Sequence, residues 1–204
     1  MHLRTVAILR SFGPERSREL ALRCWEIGVD LVEVPVQDDM GWASLTAVAT
    51  VSDGRPFGAG TVLTVEDSHR ATDIGASVVI SPGIDAAVVE AAQEAGAMPL
   101  PGVMTPTDVT LAHSLGLSLC KLFPASQLGP PWLGHIRGPF PAMRFVAVGG
   151  IDHVNAVDYL RAGAAGVGFG SSIEGVLAAP DPAGVIAGLH ALSAPTTASR
   201  DVLM

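Results

Sequence analysis

The 204-residue chain contains a single lysine, Lys121, in an unusual setting for a charged side chain. It lies in the apolar run Leu117–Pro124, whose length and composition predict a short buried strand. Lysine is almost never buried unless it is paired or has a special role. Because burial disfavours the ammonium form and lowers its pKa, such a lysine can supply the neutral amine that forms a Schiff base with a ketone.

A second ionisable residue, Glu33, lies between two valines in another apolar run. Side chains alternate between the two faces of a strand, so Glu33 shares a face with Leu31. By the same rule, Lys121 shares a face with Leu119 and Phe123. A buried carboxyl has a raised pKa and can carry protons during catalysis. The residue types leave one alternative open, an internal ion pair between Glu33 and Lys121.

Two glycine-rich segments, Gly149-Gly150 and Gly170-Ser171-Ser172, follow two successive apolar runs near the end of the chain. Glycine backbone lets an anion approach closely, and turn N–H groups and hydroxyls can donate hydrogen bonds to phosphate oxygens. Each segment alone is weak evidence, because the chain has 23 glycines. Their places at the ends of adjacent strands predict a phosphate-binding site formed by Gly149, Gly150, Gly170 and Ser171.

Metal chemistry is not expected. The chain has 6 histidines, and none is spaced as a His-x-His or His-x-x-x-His pair. They are His2, His69, His113, His135, His153 and His190.

The composition predicts a soluble, cytoplasmic globular protein. Apolar residues make up 49% of the chain and charged residues 16%, which is enough to build a core. The net charge of -8 argues against nucleic-acid binding. No apolar run reaches the roughly 20 residues of a membrane-spanning helix, and the first residues do not have the pattern of a signal peptide. Cys24 and Cys120 are expected to be core residues without a disulfide.

Eight short apolar or β-branched runs predict eight strands, separated by helical patterns. The predicted strands are 6–9, 30–34, 56–59, 77–80, 97–100, 118–122, 144–148 and 166–169. The helical patterns are 14–27, 65–74, 85–95, 106–115 and 152–162. Glycine follows several of them, as it often does at helix ends. These glycines are Gly28, Gly75, Gly96, Gly116 and Gly163.

Alternating strands and helices predict a parallel sheet. A repeat of about 25 residues suits a closed (β/α)8 TIM barrel, with an open doubly wound sheet as the alternative. We expect a single domain over residues 1–204, with a loosely ordered tail at 193–204. In a barrel, the carboxyl ends of the strands carry the active site, which is where Glu33, Lys121 and the glycine segments fall.

Motifs at all eight predicted strand ends resemble the 2-keto-3-deoxy-6-phosphogluconate (KDPG) aldolase family. The matching segments are Ala7–Arg10, Val32–Pro35, Gly58–Leu63, Ile80–Gly83, Pro101–Gly102, Lys121–Ala125, Ala147–Gly150 and Gly168–Ser171. The resemblance implies a class I aldolase with a (β/α)8 fold, usually a homotrimer. It implies no metal or organic cofactor, because the protonated imine accepts the electrons.

The resemblance also implies roles for individual residues. Lys121 corresponds to the Schiff-base lysine and Glu33 to the general acid/base. Thr61 corresponds to a residue near the substrate carboxylate. The phosphate-binding turns correspond to Gly149-Gly150 and Gly170-Ser171.

Two positions depart from the phosphogluconate-type enzymes and are similar to the phosphogalactonate branch. Gln37 stands where the former carry Arg, and Val148 where they carry Thr. That branch also has an arginine at the position of Arg10 and a segment similar to Leu128-Gly129-Pro130. The segment Gln37-Asp38-Asp39 matches neither branch. We predict that Arg10 replaces the missing arginine and binds the carboxylate together with Thr61, because a buried anion needs a paired cation.

The predicted reaction is cleavage of a phosphorylated 2-keto-3-deoxy sugar acid, with 2-dehydro-3-deoxy-6-phosphogalactonate favoured, to pyruvate and D-glyceraldehyde 3-phosphate. The alternatives within the family are KDPG and 4-hydroxy-2-oxoglutarate cleavage. Outside it, the alternatives are a phosphate-binding barrel isomerase or synthase and a non-catalytic sugar-phosphate sensor. Neither of these needs Lys121.

Overall fold

A computed structural model describes residues 3–192 of the chain. These residues form one parallel sheet of nine strands. The strands are β1 (Thr5–Ile8), β2 (Leu31–Pro35), β3 (Phe57–Gly60), β4 (Val78–Ile80), β5 (Met98–Leu100), β6 (Gly102–Val103), β7 (Leu119–Leu122), β8 (Arg144–Val148) and β9 (Gly166–Phe169). The predicted tail at 193–204 lies outside the described residues.

Helices lie between the strands and after the last one. They are α1 (Pro14–Glu26), α2 (Asp39–Ala49), α3 (Val65–Asp73), α4 (Ala86–Glu94), α5 (Pro106–Ser114), α6 (Ala125–Leu128), α7 (Pro131–Arg137), α8 (Ala156–Arg161), α9 (Ile173–Leu177) and α10 (Pro182–Ala191). Within residues 3–192, no helix is long and apolar enough to cross a membrane.

The sheet closes on itself through the fifth predicted strand, which is divided into β5 and β6. The strand order is β5-β4-β3-β2-β1-β9-β8-β7-β6, so β5 and β6 lie at its two ends. Pro101 separates them, and proline has no N–H to donate to a ladder. Hydrogen bonds still cross the junction, from Gly102 N–H to Ser81 O at 3.0 Å and from Lys121 N–H to Pro101 O at 2.9 Å. The closed barrel is confirmed, and the open sheet is wrong.

The helix prediction was incomplete, because α6, α7, α9 and α10 as well as α2 lie outside the predicted helical patterns, and one predicted helix begins later than expected. Helix α2 was not among the predicted helical patterns, and it begins because the Asp38 carboxylate accepts a hydrogen bond from Gly41 N–H at 2.8 Å. The helix predicted from Asp152 begins only at Ala156. The Asp152 carboxylate instead accepts from Asn155 N–H at 2.9 Å, which holds residues 152–155 in a turn.

The core has two layers, as the alternation within strands predicted. One face of the strands fills the barrel with apolar side chains, among them Leu31, Leu119 and Val146. The other face packs against the helices and includes Cys120 and Leu122. Glu33 and Lys121 are on the inner face, in step with Leu31 and Leu119. Cys24 and Cys120 are both buried and free, as expected of core residues.

Candidate active site

The predicted site residues lie at the carboxyl ends of the strands, so the barrel brings them to one end of the molecule. Glu33 and Lys121 are within β2 and β7, whereas the others follow their strands within two residues. Those residues are Arg10 after β1, Thr61 after β3, Gly149 and Gly150 after β8, and Gly170 and Ser171 after β9.

Lys121 is buried, with 4% of its surface exposed. Burial lowers the pKa of its amine, the charge of Arg10 lowers it further, and the charge of Glu33 opposes both. The Nζ atom lies 4.8 Å from the centre of the Phe123 ring, which favours the charged form when it is present. The surroundings therefore increase the fraction of neutral amine at a given pH without excluding the cation.

Glu33 is buried to a similar extent, with 2% exposed. Burial raises the pKa of its carboxyl, and the charges of Lys121 and Arg10 partly offset this increase. None of the salt bridges within residues 3–192 involves Glu33 or Lys121. They are Arg16–Glu19, Arg16–Glu174 and His190–Asp30.

Within residues 3–192, Glu33 and Lys121 therefore form no direct salt bridge. The charge of each group still influences the pKa of the other. An amine that is buried without a salt bridge is easier to deprotonate.

A cavity of about 650 Å³, within the size range of small-molecule sites, lies at this end of the barrel, and neither Glu33 nor Lys121 is part of its lining. It is lined by Ile8, Arg10, Ser11, Phe12, Phe123, Val148, Gly149, Gly150, Ile151, Gly170 and Ser171. Both predicted phosphate-binding turns thus face one space together with Arg10. Phe123 belongs to this lining and also contacts Lys121, so it connects the cavity to the buried amine.

The two glycine turns are held in place by contacts other than their N–H groups. Gly149 and Gly150 have φ angles of 98° and 72°, where a side chain would be strained. The Asn155 side chain donates to Gly150 O at 2.9 Å, and the Ser172 hydroxyl donates to Ile151 O at 2.6 Å, which links the two turns. Among residues 3–192, no acceptor takes the N–H of Gly149, Gly150 or Ser171. These N–H groups are available to an anion.

Arg10 is exposed at the mouth of the barrel, and its Nη1 donates a hydrogen bond to Gln37 Oε1. This contact gives Gln37 a role that the sequence alone did not assign, which is to accept a hydrogen bond from Arg10. Asp38 caps α2 and Asp39 is its first residue, so both serve the helix start. The pairing of Arg10 with Gln37 joins residues 27 positions apart, and no local pattern could have predicted it.

Thr61 follows β3 with a φ of 58°, a left-handed conformation that is uncommon for a β-branched residue. It is half-buried and is not part of the lining of the large cavity. In residues 3–192, no three His, Cys, Asp or Glu side chains cluster so that they could hold a metal ion.

Comparison with known proteins agrees with this geometry. A family model for KDPG and KHG aldolase matches residues 2–187. A probable 2-dehydro-3-deoxy-6-phosphogalactonate aldolase of Rhizobium meliloti is 38% identical over 170 residues, 82% of this chain and 80% of that protein.

Two solved structures are similar over nearly the whole chain. One, described as native KDPGal, is 28% identical with a TM-score of 0.83, and the match covers 93% of this chain and 95% of that one. The other is the KDPG aldolase of Legionella pneumophila with pyruvate captured as a covalent carbinolamine. It is 27% identical with a TM-score of 0.79, covering 95% of each chain. The chain therefore belongs to the KDPG and KHG aldolase family.

Proposed function

We propose that the protein is a class I aldolase that cleaves 2-dehydro-3-deoxy-6-phosphogalactonate to pyruvate and D-glyceraldehyde 3-phosphate. The observation that carries this proposal is the pair of buried ionisable groups, Lys121 and Glu33, at the carboxyl end of the barrel without a salt bridge between them. The related Legionella enzyme with a covalent pyruvate carbinolamine supports the same chemistry.

In the proposed mechanism, the neutral Lys121 amine adds to the C2 ketone, and loss of water gives a protonated imine. Glu33 takes the proton of the C4 hydroxyl while the C3–C4 bond breaks. The electrons of that bond move into the imine and form an enamine, and the phosphorylated aldehyde leaves. Protonation of the enamine at C3 and hydrolysis then release pyruvate and the free lysine.

Recognition of the substrate's two anionic ends is assigned to different residues. We assign the phosphate to the N–H groups of Gly149, Gly150 and Ser171 and to the open backbone at Gly170. We assign the carboxylate to Arg10, oriented by Gln37, and to Thr61. Arg10 lines the same cavity as the glycine turns, so the affinity for pyruvate, which has no phosphate, distinguishes a carboxylate-binding from a phosphate-binding Arg10.

The preference for the galacto epimer is supported by two features. Val148 lies in the cavity lining, where the phosphogluconate-type enzymes that the sequence resembles carry Thr. The Rhizobium meliloti relative is named a probable 2-dehydro-3-deoxy-6-phosphogalactonate aldolase. KDPG and 4-hydroxy-2-oxoglutarate are the alternative substrates. We also expect a single-domain homotrimer in the cytoplasm that needs no cofactor.

The test is to measure pyruvate release from both phosphorylated epimers with purified protein, at several substrate concentrations. We expect turnover of both, with a higher kcat/KM for the galactonate. A higher kcat/KM for the gluconate overturns the epimer assignment alone. Turnover of a phosphorylated sugar without pyruvate release indicates an isomerase or synthase, and binding without turnover indicates a sensor.

A further inference from the structure

Gly60, the last residue of β3, has the Glu33 side chain lying directly across its Cα atom. In the parallel register of β2 and β3, Glu33 is opposite Gly58 and Pro35 is opposite Gly60. A Cβ atom built on Gly60 meets Glu33 Oε1 first, and it is 2.8 Å from both Glu33 Cδ and Glu33 Cγ. The three nearest atoms to that position all belong to the Glu33 side chain.

Other glycines of the barrel are required for a different reason. At Gly58 an added Cβ lies 2.8 Å from the backbone oxygen of Val78, and at Gly41 and Gly102 it also meets backbone oxygens. At these positions the fold itself excludes a side chain. Gly60 does not have the positive φ that favours glycine, and its neighbour is the movable end of a side chain. Its backbone could therefore carry alanine if the Glu33 carboxyl moved.

We propose that Gly60 is a positioning residue for Glu33, and this inference rests on the proposed role of Glu33 as the proton carrier. Because Gly60 has no side chain, the buried Glu33 carboxyl can occupy the position that a Cβ atom of residue 60 would take. Alanine at this position displaces the carboxyl from the proton it must take. A displacement of about 1 Å can reduce turnover on the order of 100-fold.

The first experiment compares Gly60→Ala with the wild type. We expect kcat to fall about 100-fold and KM to change less, because Thr61 alone among the assigned substrate-binding residues adjoins Gly60 and the phosphate-binding turns follow other strands. The matched control is Gly188→Ala on the exposed side of α10, where an added Cβ meets nothing within 4 Å, and it should leave kcat unchanged. A wild-type kcat and pH profile in Gly60→Ala overturn the proposal.

A double-mutant cycle with Glu33→Asp separates positioning from general damage. The shorter side chain withdraws the carboxyl from the added Cβ, so the double variant should lose less activity than the product of the two single losses. Additive losses overturn the proposal. If Glu33→Gln alone leaves turnover intact, the proposed role of Glu33 has failed, which is a different result.

A structural readout keeps the proposal independent of turnover. In the folded protein without substrate, an NMR titration of the Glu33 carboxyl should give a different pKa in Gly60→Ala. If Gly60→Ala fails to fold, the variant that also carries Glu33→Ala should fold as Glu33→Ala alone does, because the clashing side chain is gone. Failure of that double variant to fold, or an unchanged pKa in a folded Gly60→Ala, overturns the proposal.

Discussion

Ionisable side chains lie at both ends of the barrel, and among residues 3–192 those at the amino-terminal end, buried Arg4 and half-buried Asp30, are hydrogen-bonded whereas those at the carboxyl-terminal end have no salt bridge. At the amino-terminal end, Arg4 donates from Nε to Leu189 O at 3.0 Å and from Nη1 to Ala165 O at 3.3 Å. Asp30 accepts from Thr5 N–H at 2.8 Å and from His190 Nε2 at 3.1 Å. At the carboxyl-terminal end, Glu33 and Lys121 lie buried without a salt bridge to any residue of 3–192.

This difference distinguishes side chains that stabilise the fold from side chains proposed to act in catalysis. Buried polar groups whose hydrogen bonds are satisfied make the structure rigid. Buried ionisable groups without a salt bridge carry a desolvation penalty that nearby charges offset only in part, they have shifted pKa values, and such groups concentrate at functional sites. We infer that the amino-terminal cluster stabilises the contact of α10 with β1. Burial of the carboxyl-terminal pair, in contrast, lowers the free energy of unfolding and makes the two groups reactive.

The amino-terminal cluster shows why residue types alone are a poor guide. Thr5, His190 and Asp30 are the residue types of a nucleophile–base–acid triad. A triad uses the two ring nitrogens of histidine for different partners. Here His190 Nε2 contacts both Thr5 Oγ1 at 3.2 Å and Asp30 Oδ2 at 3.1 Å. Because the same Nε2 atom contacts both partners, the arrangement suits a structural hydrogen-bond cluster and not a proton relay.

The largest effect is expected for Lys121→Met. Turnover should fall by more than about 10³-fold, because the nucleophile is gone. The free energy of unfolding should rise by about 0.5–2 kcal/mol, because a buried amine is replaced by an apolar side chain of similar length. Lys121→Arg should lose turnover without this gain in stability. Substrate assays and urea unfolding measure both, and a less stable Lys121→Met contradicts the comparison.

Gly170→Val tests the phosphate site. An added Cβ at Gly170 meets nothing within 4 Å, and the residue lines the cavity, so valine should obstruct the ligand and spare the fold. The preference for a phosphorylated substrate over an unphosphorylated 2-keto acid should shrink by about 2–4 kcal/mol. The measurement is kcat/KM for both substrates in both proteins. Equal losses on the two substrates would mean that this turn supports the barrel and does not bind phosphate.

Asp30→Ala tests the opposite end. The Asp30 carboxylate accepts from the N–H groups of Arg4 and Thr5 at 2.9 and 2.8 Å, and removing it leaves these donors without that partner. We expect the free energy of unfolding to fall by about 1–3 kcal/mol with kcat/KM unchanged. Thermal or urea unfolding and a standard assay measure this. A large loss of kcat at unchanged stability would show that the amino-terminal end takes part in function.

Arg10→Ala should lower kcat/KM at least tenfold, which is about 1.4 kcal/mol, and weaken pyruvate binding. The positive charge of Arg10 lowers the pKa of both Glu33 and Lys121, so its removal raises both and moves the pH optimum upward. Arg10→Lys should recover only part of the activity. Unchanged pyruvate affinity with weaker binding of the phosphorylated product would reassign Arg10 to the phosphate.

Local patterns were sufficient to predict most of the barrel and the inward face of its two ionisable strand residues. Alternation along β2 and β7 depends only on neighbouring residues, which is why Glu33 and Lys121 could be placed beside Leu31 and Leu119. The contact of Arg10 with Gln37 and the space that Gly60 leaves for Glu33 depend on strand register. Such tertiary contacts have no signal in a single sequence.

The most direct test of the central claim is borohydride reduction in the presence of pyruvate, followed by peptide mapping. Since Lys121 is the single lysine, the only other primary amine of the chain is its N-terminus. We predict one stable pyruvate-derived adduct, located on Lys121 and absent from Lys121→Arg. An adduct on the N-terminal amine, or none in an active enzyme, would contradict the assignment of the buried lysine as the nucleophile.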